Sequence, residues 1–192
     1  MSGKAIYLLV VGALIALLAF SNYPESLPEA SSSDLSNEEA FNKMMTVLTH
    51  KRCVNCHPSG NAPKQGEESR IHDFGVERGS IDCQSCHQVE NNDYSGVPGA
   101  PGWSLAPASM KWEGLSRREI AESILDKERN GGRSHEDLIH HLTEHELVLW
   151  GWNPGVNPNG EQREPVPVPF KEYKKAVYTW FEKGAMIPES EK

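Results

Sequence analysis

Cys53-Val54-Asn55-Cys56-His57 and Cys83-Gln84-Ser85-Cys86-His87 decide how this chain is read. Each is C-x-x-C-H, the attachment signature of a c-type haem. Two thiols three residues apart can add to the two vinyl groups of one porphyrin. The His that follows then falls under the iron as proximal ligand. The alternatives are a four-cysteine zinc knuckle or a pair of disulfides. The two copies use all four cysteines of the chain, and each carries its own His. That favours two covalently bound haem c groups, held by Cys53, Cys56, Cys83 and Cys86, with His57 and His87 on iron.

Composition agrees with a cofactor-built core. Of the 192 residues only 38% are hydrophobic, while Gly and Pro number 16 and 13. Such a chain makes much loop and little aliphatic core, and two buried porphyrins would add the missing apolar mass. The net charge of −8 argues against nucleic acid or an anionic membrane surface as partner. It suits docking to a basic patch on another protein. With every cysteine in a motif, no disulfide framework is left to report the compartment.

The N-terminus reports it instead. Ala5–Phe20 is an apolar run interrupted only by Gly12, preceded by the cation Lys4. A spanning helix needs about 20 apolar residues, whereas a signal-peptide apolar region has about 7–15. Ala19 and Ser21 are small residues at positions a signal peptidase reads. Residues 1–21 are therefore expected to be a cleaved signal peptide or, failing cleavage, an N-terminal membrane anchor. Either way the rest crosses to the periplasmic side, where bacterial c-type haems are attached. Residues 22–37, rich in Ser, Pro and acids, read as a flexible linker. Residues 38–187 remain for one dihaem domain.

Within that domain the expected fold is mostly α, a single loop-rich cytochrome c-like domain built around two covalent haems. The capping box Ser36–Glu39 starts a helix whose apolar face is Phe41, Met44, Met45 and Leu48. At that spacing the two methionines read as packing. Residues 58–82 are too short for a complete monohaem domain between the motifs, so both haems share one unit. Residues 91–107 are loop, with Trp103 and Trp112 placed to pack on porphyrin. A second capping box, Ser116–Glu119, starts a helix that Asn130-Gly131-Gly132 should stop. A third helix starts at Ser134 and should run to Trp150, with Leu138, Leu142, Leu149, His141 and His145 on one face. Phe170, Tyr173, Val177, Trp180 and Phe181 line a last helix, closed by Gly184, that can cross the first. No stretch reads as a strand.

The sixth ligands decide whether each iron passes electrons or binds substrate. His72 sits in a loop that can fold over either haem. Met110 follows Pro107-Ala108-Ser109, a loop placement that suits a distal Met. His141 lies on an apolar face, where an unpaired imidazole is costly. His50 precedes Cys53 on the proximal edge and could reach only the other haem. Four candidates compete for two iron faces, so both irons are expected to be six-coordinate. That predicts an electron carrier. The alternative is a peroxidase-like haem enzyme or a gas sensor with one open iron. No nucleophile elbow, P-loop or dinucleotide fingerprint is present, and no catalytic residue can be assigned.

The stretch from about Val47 to Ala185 resembles the small dihaem c-type cytochromes often labelled isoquinoline 1-oxidoreductase subunits. The matching words are His50-Lys51-Arg52-Cys53 through Cys56-His57-Pro58, Val76-Glu77-Arg78-Gly79 and Cys83–His87. They continue with Gly96-Val97-Pro98-Gly99-Ala100-Pro101, Leu105-Ala106-Pro107 through Met110-Lys111-Trp112, and Arg129-Asn130-Gly131-Gly132-Arg133. Leu147 through Trp152 and Trp180 through Gly184-Ala185 complete the set. The resemblance implies an electron-relaying subunit whose donor is a molybdenum hydroxylase or similar dehydrogenase and whose acceptor is respiratory. His50, His72, Met110 and His141 all fall in matching stretches. Gly102 stands where that pattern has His, and the connection from Gly79 to Cys83 is short.

Overall fold

The first helix, α1 (Asn37–Leu48), begins where Ser36 accepts from the Glu39 amide and Glu39 reaches back to the Ser36 amide. That reciprocal box satisfies two of the amides a helix start leaves open. The computed structural model describes residues 35–191, a single, mostly helical domain. Residues 1–34, which hold the expected signal or anchor segment and most of the expected linker, lie outside the described residues. No helix among the described residues is long and apolar enough to cross a membrane.

Helix α2 (Lys51–Val54) enters the first motif. Helices α3 (Arg117–Leu125), α4 (His135–Glu144), α5 (Glu146–Leu149) and α6 (Phe170–Glu182) follow. Helix α1 packs on α6 through side chains that are fully buried: Phe41, Met44 and Met45 meet Tyr173, Val177 and Trp180. Phe41 and Trp180 lie 6.2 Å apart at their ring centres. Met44 and Met45 are therefore packing residues, as their spacing implied. The Met186 carbonyl accepts from both Asn37 Nδ2 (2.7 Å) and Trp180 Nε1 (2.9 Å), closing the C-terminal turn onto the start of α1. Ile120 and Ile124 of α3 and Leu138 and Leu142 of α4 join the same core.

Three boundaries differ from the sequence reading. Helix α3 stops at Leu125, because Asp126 is extended and Asn130 folds back to donate from Nδ2 to the Ile124 carbonyl at 2.7 Å. The Asn-Gly-Gly run thus serves the turn after the helix. The third helix breaks at His145, which is extended between α4 and α5, so Leu149 is not on the α4 face. Two short strands, β1 (Lys64–Gln65) and β2 (Arg70–Ile71), pair antiparallel. Two residues each give no alternation to detect in the sequence.

Truncation of the largest core side chain tests the α1–α6 contact. Trp180→Ala should lower unfolding stability by about 3–5 kcal/mol, read as a fall in the denaturant midpoint. A loss below about 1 kcal/mol would mean that this contact does not hold the fold.

Candidate functional site

The first motif leaves α2 with its carbonyls taken. Ala106 N donates to the Cys56 carbonyl at 3.0 Å, and Trp112 N and Glu113 N both donate to that of His57, at 2.9 and 3.1 Å. The His57 ring is held on two sides. Its Nδ1 donates to the Met110 carbonyl at 2.7 Å, and Trp112 stacks on it at 3.6 Å with planes 9° apart. Trp112 is itself fixed to α3, its Nε1 donating to Ser123 Oγ at 3.1 Å. A carbonyl can only accept, so Nδ1 carries the proton and Nε2 keeps its lone pair.

The second motif repeats this arrangement on a weaker frame. Cys83–Ser85 form one 3₁₀ turn, capped by Asp82, whose Oδ1 accepts from the Gln84 amide at 3.0 Å. His87 Nδ1 donates to the Pro98 carbonyl at 2.7 Å, and Trp103 stacks on the ring at 4.6 Å and 10°. The Pro98 carbonyl is placed by Gly99, whose amide donates to Asn91 Oδ1 at 3.1 Å. A Cβ on Gly99 would stand 2.1 Å from the Glu90 carbonyl oxygen, so only glycine fits. Asn91 also accepts from Trp150 Nε1 and donates to the Asn153 carbonyl, both at 2.9 Å. Trp103 and Trp112 thus lie against the motif imidazoles.

His72 comes to the second motif. Its ring centre is 6.0 Å from that of His87, with planes 71° apart. Its amide donates to the Pro63 carbonyl at 2.9 Å and its Nδ1 to the Asp73 carbonyl at 2.7 Å, so Nε2 is again the free nitrogen. His141 comes to the first motif, close enough for its charge to lower the proton affinity of His57. His145 lies 4.9 Å from His141 and its buried Nδ1 has no partner. Met110 is 7% exposed and belongs to the core, and its carbonyl meets His57 on the ring side away from Nε2. His50 caps α2, its Nδ1 accepting from the Arg52 amide at 3.3 Å, with its Nε2 buried and unpartnered. Gly102, where a His was expected, is exposed at φ +70°.

Burial sets the protonation states. The Cys53 and Cys56 thiols are pushed up to about 12 and about 11 by burial, with a further contribution at Cys56 from Cys83. Burial holds His57 down at about 4 against its hydrogen bond to Met110, and His141 down at about 4. His87 is lowered by burial as well. Neutral imidazoles with a free Nε2 are the form that ligates metal.

Several features fit a large apolar group carrying acidic substituents. From residue 59 to residue 95 no residue is buried. Ile71, Phe74 and Ile81 in that stretch are 63, 95 and 52% exposed. A cavity of about 370 Å³ beside Cys83 is lined by Val76, Ile81, Trp103 and Leu105. Tyr173 Oη, fully buried beside Cys53, has no hydrogen-bond partner, and neither do Arg78 Nε and Nη2. All four cysteines are free, and among the described residues no three His, Cys, Asp or Glu side chains gather to hold a bare metal ion. The sequence reading gave no site role to Arg78, Tyr173 or the Met110 and Pro98 carbonyls, since no motif marks a carbonyl or an orphaned donor.

Acid should weaken this site. In the unfolded chain His57 and His141 take up protons near 6.5, in the folded chain only near 4. Between those values the unfolded chain binds more protons, so stability falls as pH drops from about 6.5 toward about 4. Denaturant midpoints measured across that window should decline. His141→Leu should flatten the decline, and a midpoint independent of pH would contradict the burial of these rings.

No family model, curated protein or solved structure matches the chain.

Proposed function

We propose that this protein is a dihaem c-type cytochrome that carries electrons on the periplasmic side of a membrane. One observation carries the reading: two motif histidines, each fixed through Nδ1 to a backbone carbonyl so that Nε2 stays free, and each next in sequence to a pair of free cysteines. Each bound haem supplies an iron that takes up and returns one electron. Cys53 and Cys56 would hold the first haem and Cys83 and Cys86 the second. His57 and His87 would be the proximal ligands.

The sixth ligand proposed for the second haem is His72. Two observations support this: its ring centre lies 6.0 Å from that of His87, and its Nε2 is left free by the Nδ1 bond to the Asp73 carbonyl. For the first haem the ligand is His141, a half-buried imidazole near His57 with no hydrogen bond among the described residues. Met110 acts through its carbonyl, orienting His57, and His50 acts as a helix cap. With both faces closed, the residues support a carrier over an enzyme or gas sensor with one open iron.

Donor and acceptor are proposals of the same kind. The charge of −8 suits a basic docking face on each. The donor in this reading is a molybdenum hydroxylase or similar dehydrogenase, the acceptor a respiratory protein, and residues 1–21 direct export with or without cleavage.

Protein exported with residues 1–21 intact should carry two haems that survive acid-acetone extraction. Carbon monoxide added to the reduced protein at neutral pH should leave the Soret band unchanged. His72→Ala and His141→Ala should each open one haem to carbon monoxide, and Met110→Ala neither. Zinc in place of haem, or stoichiometric carbon monoxide binding by the unaltered protein, would overturn the reading.

A further inference from the structure

Arg78 belongs to no ligand set, yet it is fixed against the first motif. Its amide donates to the Asn61 carbonyl at 2.9 Å, and its Nη1 donates to the Ala106 carbonyl. The Ala106 amide donates in turn to the Cys56 carbonyl at 3.0 Å. Two hydrogen bonds therefore join the guanidinium to the second cysteine of that motif. Its remaining nitrogens, Nε and Nη2, are buried without a partner. Among the described residues no carboxylate pairs with it. Burial pulls its proton affinity down, but a guanidinium keeps its proton in proteins. The side chain is half-buried, but Nε and Nη2 are shielded from water, and an acceptor beyond the polypeptide would satisfy the hydrogen bonds they leave unmade.

The free atoms identify that acceptor. Nε and Nη2 form the side of the guanidinium whose two N–H bonds point the same way, the side that takes both oxygens of a carboxylate. Nη1, the nitrogen already used, lies on the opposite side. Each haem brings two carboxylates, its propionates. We propose that Arg78 binds a propionate of the haem attached at Cys53 and Cys56, side-on through Nε and Nη2. This rests on the dihaem reading above. The first haem is chosen because Arg78 is tied to Cys56 through Ala106 and its charge bears on His57. Arg78 also lines the cleft beside Cys83, so the second haem is the competing source of the same carboxylate. A carboxylate near iron favours the ferric state, and Arg78 offsets it. Arg78 is thus a positioning residue that also raises the potential of one haem.

The exported, haem-loaded protein is compared with Arg78→Gln and Arg78→Lys. Haem content, potentiometric titration and the propionate-bending band of the resonance Raman spectrum are read on each. Two haems per chain are expected throughout. In Arg78→Gln one potential should fall; in Arg78→Lys, which keeps the charge, it should fall less. The propionate band should shift in both, because neither side chain can make the side-on pair. The fall should persist when Cys83 and Cys86 are replaced by Ser, which leaves the first haem alone. Unchanged potentials and an unchanged band in Arg78→Gln would overturn the proposal. A fall confined to the second haem would overturn the assignment to the first. Should Arg78→Gln not accumulate, the band in Arg78→Lys decides, and an unshifted band sinks the idea. Haem-free wild-type protein would instead sink the dihaem reading, and haem content reveals that before any variant is compared.

Discussion

A hydrogen bond from an imidazole to a backbone carbonyl governs each motif. His57 gives its Nδ1 proton to Met110 and His87 gives its own to Pro98. The bond selects the tautomer, turns the ring and aims Nε2. Both carbonyls belong to loops, so the ring directions are only as firm as those loops. The Met110 loop is anchored well: Met110 N donates to the Pro107 carbonyl at 2.8 Å, and buried Trp112 hangs from α3 through Ser123. The Pro98 loop depends on Asn91, itself held by Trp150, and on the bare Cα of Gly99. The two sites share their geometry and differ in its support.

The same difference runs through the packing. The helical layer α1, α6, α3 and α4 buries its own apolar face. The stretch from 59 to 95 buries no residue, although fixing each residue costs about 1–2 kcal/mol in backbone entropy. Exposed pairs such as Arg70–Asp73 at 2.6 Å return little of that. Its larger apolar residues, Ile71, Phe74 and Ile81, face outward. In the dihaem reading the porphyrins are the surface these residues cover. The low hydrophobic content of the chain then has a location: the shortage falls on this stretch, and the helical layer is ordinary.

Helix starts were legible because their signals are local. Ser36–Glu39, Ser116–Glu119 and Ser134–Asp137 each form the reciprocal cap their spelling implies. The apolar faces of α1 and α6 were legible from aromatic and methionine spacing, whereas their pairing was expected from the usual cytochrome c arrangement. Helix ends were less so, since Asn130 stops α3 from a distance and His145 breaks α4 where the apolar period continues. The candidate site was read from its cysteines and histidines, which the two motifs spell out. The placement of Met110 was not, because ligation by a side chain and support by a carbonyl leave the same letter in the sequence. The approach of His72 to His87 was only one of several options, as a loop's path depends on contacts such as His72 N to Pro63 that no period announces.

Asn91 sets an order of assembly. The partners that orient the His57 ring, Met110 and Trp112 with its support Ser123, have been made before the chain reaches its last third. The second motif leans, through Asn91, on Trp150 and Asn153, some sixty residues further along. A chain that emerges N-terminus first can therefore set His57 early, while His87 stays without its full support until the segment around Trp150 arrives. The interval between those events is a time during which Cys83 and Cys86 stand on an unfinished frame. The exposed, loosely framed second motif is the form such a waiting site would take.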